Sequence, residues 1–190
     1  FQAWRSSILK SIRAWGFQDH QRFSASSPSL WMRSGILGKE LLETVYGISP
    51  EKVTMIPHGA PDVPFLDTSY YKEDYGVQDR PVILTFGLLG PGKGIEVAIE
   101  AMEEVAEQFP EALYIILGAT HPHVKENRGE EYRLNLERMV KRRGLENNVA
   151  FHEMFVPLEE LIKYLVTSDI YLTPYLSREQ ISSGTLAYAV

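Results

Sequence analysis

Gly87, Gly90, Gly92, Lys93 and Gly94 stand in one eight-residue window, directly after the apolar run Val82-Ile83-Leu84-Thr85-Phe86. Glycines let a backbone turn sharply and approach a ligand closely. A helix that starts after such a turn presents unpaired N–H groups and the positive end of its dipole, both favourable to an anion. Lys93 adds a full positive charge there. A charged hydrogen bond from it would contribute roughly 1.5–3 kcal/mol. Three readings fit these residues. Gly87, four residues, Gly92 and Lys93 meet all but the last position of the P-loop pattern, where Gly94 stands instead of a hydroxyl residue able to hold Mg²⁺. A purely structural strand-to-helix turn needs the glycines but not the lysine. A phosphate or diphosphate site of another kind uses both and is favoured.

The elements that would hold this window alternate. Val82 to Phe86 reads as a strand buried on both faces. From 93 to 109, Ile95, Ala98, Ile99, Met102, Val105, Ala106 and Phe109 recur at helical spacing, and Pro110 stops them. Leu113 to Leu117 predicts a second buried strand, followed by segment 118–123. The spacing of Leu136, Met139 and Val140 predicts one helix over about 127–143. Val149 to Phe151 is a third strand. Pro157 opens a helix with Leu158, Leu161, Ile162 and Leu165 inward. Ile170 to Leu172 is a fourth strand, stopped by Pro174. Ser182-Ser183-Gly184-Thr185 then opens a small-residue apolar helix. Strands alternating with helices predict an α/β fold with a doubly wound parallel sheet.

Before this region the chain has a different texture. Residues 1–17 place Trp4, Ile8, Ile12 and Trp15 on one stripe with Arg5, Lys10 and Arg13 elsewhere. That fits a helix packing on a neighbouring domain, the favoured reading, or a peripheral membrane-surface helix. Residues 18–34 read as a loop. Ile36, Leu37, Leu41, Leu42, Val45 and Tyr46 form a helix ended by Gly47, and 53–56 a short strand. Pro57, His58, Gly59, Pro61 and Pro64 exclude regular structure just after it. The expected division is therefore 1–56 as the remnant of a first α/β domain, 57–80 as an interdomain linker, and 81–190 as the second domain. His58 reads as a hinge or cleft residue. The natural domain is expected to continue past Val190, inside its last helix.

Composition narrows the classes. The 190 residues contain no cysteine, which removes disulfides, thiolate zinc sites and a cysteine nucleophile. Residues 1–40 carry Arg5, Lys10, Arg13, Arg22, Arg33 and Lys39 against Asp19 and Glu40, a surplus of +4. With −6 on the whole chain, the rest carries −10. So acidic a body argues against a nucleic-acid partner. No run of about 18 uncharged apolar residues is present. A cytoplasmic location is expected. His121, His123 and His152 could make a zinc site, but the disfavoured one: segment 118–123 fits better as the lining of a cleft at the end of the second strand. No metal is expected.

Three segments resemble the retaining glycosyltransferases of family 4 (glycosyl transferases group 1), which have the GT-B fold. Val53 to Gly59 with Pro61-Asp62 and Phe65 is similar to the "IPNGVD…F" junction between that family's two domains. Phe86 to Gly94 is similar to its "GRLxxxKG" donor-diphosphate loop. Ser168-Asp169-Ile170-Tyr171-Leu172-Thr173-Pro174 and the stretch from Glu179 to Ala189 resemble "ADVFVLPS…E-x7-E-AMA". Together they cover roughly residues 35–190.

The resemblance implies a nucleotide-diphosphate sugar as donor, an unidentified acceptor, retention of configuration, and no cofactor. Gly87, Gly92 and Lys93 would hold the donor diphosphate, and Ser183, Gly184 and Thr185 would complete the cradle. Glu179 or Gln180 would touch the transferred sugar as the catalytic position. His58, His121 and Tyr188 would line the cleft, and the loop after Phe151 would lie near the nucleobase. The chain departs from the pattern at three places: Leu88 replaces an arginine, and Gln180 and Tyr188 replace the paired glutamates. These mark a divergent subgroup. A P-loop-like nucleotide hydrolase and a non-catalytic nucleotide-sugar-binding domain are the alternatives.

Overall fold

The computed structural model describes residues 30–32, 36–56, 59–62, 66–176 and 184–189. The chain divides into two compact units, Phe1–Pro57 and His58–Val190. In the first, β1 (Leu30–Met32) pairs parallel with β2 (Val53–Met55), with Leu30 opposite Val53. The helix α1 (Ile36–Thr44) joins them and buries Leu42.

The second unit is built on a four-stranded parallel sheet of order β5-β4-β3-β6. Its strands are β3 (Val82–Phe86), β4 (Leu113–Leu117), β5 (Val149–His152) and β6 (Ile170–Tyr171). The helices are α2 (Ile95–Gln108), α3 (Pro122–Arg128), α4 (Glu131–Arg142), α5 (Leu158–Thr167) and the short α6 (Leu186–Ala189). Every residue of β4 is buried, which explains its unbroken apolar sequence. Tyr114 and Ile116 face one side with Ile95, Ile99, Met102, Leu136 and Val140, so α2 and α4 cover that face. Leu113, Ile115 and Leu117 face the other with Val82, Leu84 and Tyr164, where α5 lies. A fully buried side chain of this size contributes about 1.5–3 kcal/mol.

Strand order and helix placement fix where a ligand can enter. From β3 the chain steps to β4 and then β5, with the intervening helices on one face. It then crosses the other face through α5 and returns to pair β6 with β3. The winding reverses between β3 and β6. Open parallel sheets bind ligands at the carboxyl ends of the strands flanking such a reversal.

Three elements differ from expectation. The pairing of Leu30–Met32 with β2 makes a strand within 18–34, which reads as a loop in the sequence. Residues 127–143 are not one helix: α3 ends at Gly129, which has φ +58, and α4 starts at Glu131. Residues 66–80 lie within the second unit and are packed on it. They include a 3₁₀ turn, Thr68–Tyr71, and buried Val77. Tyr75 stacks on Tyr164 with ring centroids 4.8 Å apart, and its hydroxyl donates to Glu160 Oε1 at 2.5 Å. The aromatic content of this polar stretch supplies that packing.

At the amino edge, Lys72 is 7% exposed and its Nζ lies 2.7 Å from Asp169 Oδ2. The ammonium also donates to the Arg80 carbonyl at 2.9 Å. Asp169 accepts further bonds from the Val82 N–H at 2.7 Å and the Thr68 hydroxyl at 3.0 Å. Burial works to raise the Asp169 pKa, but bonds from Lys72, Val82 and Thr68 together hold it below the ordinary carboxylate value. No helix among the described residues is long and apolar enough to cross a membrane.

Candidate functional site

The site forms where three turns leave the carboxyl edge. The first follows β3. Gly87 has φ +126, and a Cβ there would lie 3.2 Å from Thr185 Cγ2. A 3₁₀ turn, Pro91–Lys93, comes next, and Gly94 at φ +68 then starts α2. A Cβ on Gly94 would lie 1.9 Å from the Pro174 carbonyl oxygen. Only glycine allows that backbone and that approach together. The close packing at Gly94 brings in the second turn, Pro174-Tyr175-Leu176 after β6, whose Leu176 N–H donates to the Gly92 carbonyl at 3.3 Å. The third turn, Gly184-Thr185, starts α6.

Lys93 joins the three. Its Nζ stands 3.2 Å from the Tyr175 hydroxyl and 4.3 Å from that ring's centroid. The Tyr175 hydroxyl in turn lies 2.8 Å from Thr185 Oγ1. The lysine side chain therefore lies at the winding reversal, half-buried, beside the positive end of a 14-residue helix. A half-buried cation with helix N–H groups beside it can stabilise a phosphate or a departing diphosphate.

Beneath the turns, a buried polar chain ties the strands together. Tyr114 Oη donates to Thr85 Oγ1 at 2.9 Å, and Thr85 Oγ1 donates to the Leu172 carbonyl at 2.7 Å. Burial pushes the Tyr114 phenol up to about 12, so it stays a neutral donor. On the other flank, Glu130 accepts from Thr120 Oγ1, pairs with Lys125 at 2.9 Å, and lies 3.4 Å from Arg133 Nε. The Thr120 bond first, then Lys125, lower its pKa to about 2. Arg133 also reaches Glu153 at 2.7 Å, so α4 is tied to the segment after β5. His152, the last residue of β5, has Nδ1 2.7 Å from the Tyr164 hydroxyl.

Of the residues expected in the site, Gly87, Gly92, Lys93, Gly184 and Thr185 meet at this edge. His121 lies at the start of α3, where its Nδ1 accepts from the His123 N–H at 3.2 Å. Tyr188 sits in α6, with its N–H bonded to the Thr185 carbonyl at 3.2 Å. His58, Glu179, Gln180 and Ser183 lie outside the described residues, as do residues 1–17. Among the described residues, no three His, Asp or Glu side chains gather as a metal set. Asp169 is engaged with Lys72 at the opposite edge, the wrong end for a P-loop magnesium ligand. A groove of about 660 Å³ opens elsewhere, between α2 and α4, with Glu96, Tyr132, Leu136 and Met139 in its walls.

Sequence reasoning missed Tyr175. Its signal is position alone: it lies just past the end of β6, the strand at which the winding turns back. The Glu130 cluster was missed too, because its members are scattered over 120–153.

Comparison with known proteins bears on the fold and the family. The chain is 30% identical over 107 residues to the GDP-mannose-dependent alpha-(1-6)-phosphatidylinositol monomannoside mannosyltransferase of Mycolicibacterium smegmatis, a match spanning 56% of this chain and 25% of that protein. The structure of Anabaena HepE in complex with UDP-glucose superposes with a TM-score of 0.65 at 19% identity, covering 85% of this chain and 42% of HepE. WaaG, a glycosyltransferase involved in lipopolysaccharide biosynthesis, gives 0.62 at 19% identity, covering 85% and 41%. At such identity the superpositions show the α/β parallel-sheet fold, and the chain spans less than half the length of each of these proteins. The family match is direct and covers residues 69–183, from the 3₁₀ turn before β3 to the edge of the last helix. The chain belongs to the glycosyl transferases group 1 family.

Proposed function

We propose that this chain binds a nucleotide-diphosphate sugar in the crevice between β3 and β6, and that the protein containing it transfers the sugar to an acceptor. The observation that carries the reading is the Lys93 ammonium at the winding reversal, joined through Tyr175 to Thr185. The relative from M. smegmatis is named as GDP-mannose-dependent, and HepE was crystallised with UDP-glucose. Both names support a nucleotide sugar as the donor class.

In this reading Lys93 and the start of α2 stabilise the diphosphate as it departs and charge develops on it. Ser183, Gly184 and Thr185 close the cradle, and Glu179 or Gln180 touches the sugar. Transfer proceeds with retention and without a metal ion, the cation and helix dipole taking the metal's electrostatic role. A cytoplasmic location completes the proposal, with residues 1–17 read first as packing on a neighbouring domain and a peripheral membrane contact as the alternative. Tyr188, where the resemblance expects a carboxylate, favours a second reading in which the domain binds the donor and does not turn it over.

Titration calorimetry with UDP-glucose and GDP-mannose on wild type and Lys93→Ala tests the site. Loss of a charged hydrogen bond predicts binding weaker by roughly 10-fold to 100-fold in the variant. Equal binding by both proteins refutes the site. Tight binding without sugar transfer by the protein containing this chain selects the second reading.

A further inference from the structure

Tyr175 follows Pro174 in the turn after β6, four residues past Tyr171, the last strand residue paired with β3. Its hydroxyl lies between Lys93 Nζ at 3.2 Å and Thr185 Oγ1 at 2.8 Å. An ammonium only donates, so the phenol oxygen accepts from Lys93 and its proton goes to another acceptor. Thr185 Oγ1, 2.8 Å away, is in reach of that proton. The ring face adds a second attraction, with the ammonium 4.3 Å from the centroid. Ring and hydroxyl together restrain a long, flexible side chain before any ligand arrives, which lowers the ordering cost of binding. Leu88, on the same turn as Lys93, offers no side-chain donor.

Resting on the reading above, we propose that Tyr175 positions Lys93 and gives the diphosphate a second donor. It holds the ammonium at the crevice, and its own hydroxyl proton moves from Thr185 to a phosphate oxygen when one binds. The ligand class is a nucleoside diphosphate or pyrophosphate group, recognised by the phosphate and not the base.

The test is titration calorimetry on the full chain with UDP and with inorganic pyrophosphate, using wild type, Lys93→Ala, Tyr175→Phe and the double variant. Loss of one hydrogen bond predicts that Tyr175→Phe weakens both ligands about 3-fold to 10-fold. Because the tyrosine acts partly through the lysine, that loss shrinks to below about 2-fold in the Lys93→Ala background. Tyr175→Phe binding as well as wild type, or losing as much without Lys93 as with it, overturns the proposal alone. Lys93→Ala binding UDP as tightly as wild type, or wild type binding neither ligand, overturns the underlying site as well. A readout independent of variant folding is the NMR signal of the Tyr175 ring in wild type carrying carbon-13-labelled tyrosine. It shifts on saturation with pyrophosphate if the proposal holds, and an unmoved signal overturns it.

Discussion

The Lys93 ammonium lies against the Tyr175 ring, 4.3 Å from its centroid, although the two residues are 82 positions apart in the chain. The contact exists because β3 and β6 are sheet neighbours and each is followed immediately by a turn. Gly94 brings those turns together: its missing Cβ is what lets the Pro174 carbonyl approach.

Gly94→Ala should therefore cost far more than a generic glycine replacement. A left-handed backbone alone costs an L residue about 1–2 kcal/mol. Here the added methyl would also lie 1.9 Å from a carbonyl oxygen, so one turn has to move. We expect a loss of about 3 kcal/mol or more, near the upper end of single-site effects. Gly144→Ala is the control, since Gly144 has φ +66 with nothing within 4 Å of its Cβ position. It should show only the left-handed cost of about 1–2 kcal/mol. Urea unfolding of both variants checks the contrast, and equal losses would refute the close-packing argument.

Removing Asp169 should strand the Lys72 ammonium, which is 7% exposed. Breaking one side of a buried pair typically costs about 3–5 kcal/mol; with a third of Asp169 open to solvent we expect about 2–4 for Asp169→Ala. The pH dependence has a definite sign. Asp169 titrates lower in the folded chain than when unfolded, so its contribution is complete above the unfolded value near 4. It is lost as pH falls through the folded value. Chemical denaturation between pH 6 and about pH 3 should show a steeper stability loss in wild type than in Asp169→Ala. Parallel slopes would count against the pair.

The same residues show why some of this was legible in sequence and some was not. β3 and β4 fall where the apolar runs Val82–Phe86 and Leu113–Leu117 put them, because strands covered on both faces must be continuously apolar. The α3–α4 break was hidden because the helical period of Leu136, Met139 and Val140 says nothing about where the helix begins, while Gly129 at φ +58 decides it. Segment 66–80 reads as part of the 57–80 linker because it continues the proline-rich stretch with polar residues, yet Lys72, Tyr75 and Val77 are anchored by partners from 80 to 169, which only the fold brings close. The Gly87–Gly94 turn was legible as local chemistry. Tyr175 was not, because its role depends on which strand lies beside β3.

Ile99→Ala tests the core under the site. Ile99 is 0% exposed, on the face of α2 that packs against Tyr114 and Ile116. Truncating a buried isoleucine leaves a cavity and should cost about 2–5 kcal/mol. Val97 on the same helix is 51% exposed, and Val97→Ala should stay within about 0.5 kcal/mol. Thermal unfolding separates the two, and similar melting temperatures would contradict the assigned helix face.

His152 gives the chain a pH response nearer neutrality. Burial lowers its pKa, and its Nδ1 lies 2.7 Å from the Tyr164 hydroxyl, on the helix that covers the opposite face from α2. Because the folded value is below the unfolded 6.5, the unfolded chain takes up the proton first. Stability is then complete above about pH 6.5 and falls as pH drops toward the folded pKa. Urea midpoints measured from pH 8 to about pH 5 should decline in wild type and stay flatter in His152→Gln, which has no ring to protonate. Tyr164→Phe removes the hydroxyl and should cost about 0.5–1.5 kcal/mol at pH 8. It should leave most of the pH slope in place, because burial and not the tyrosine bond depresses the histidine. A slope that vanished with Tyr164→Phe would assign the effect to the hydrogen bond instead.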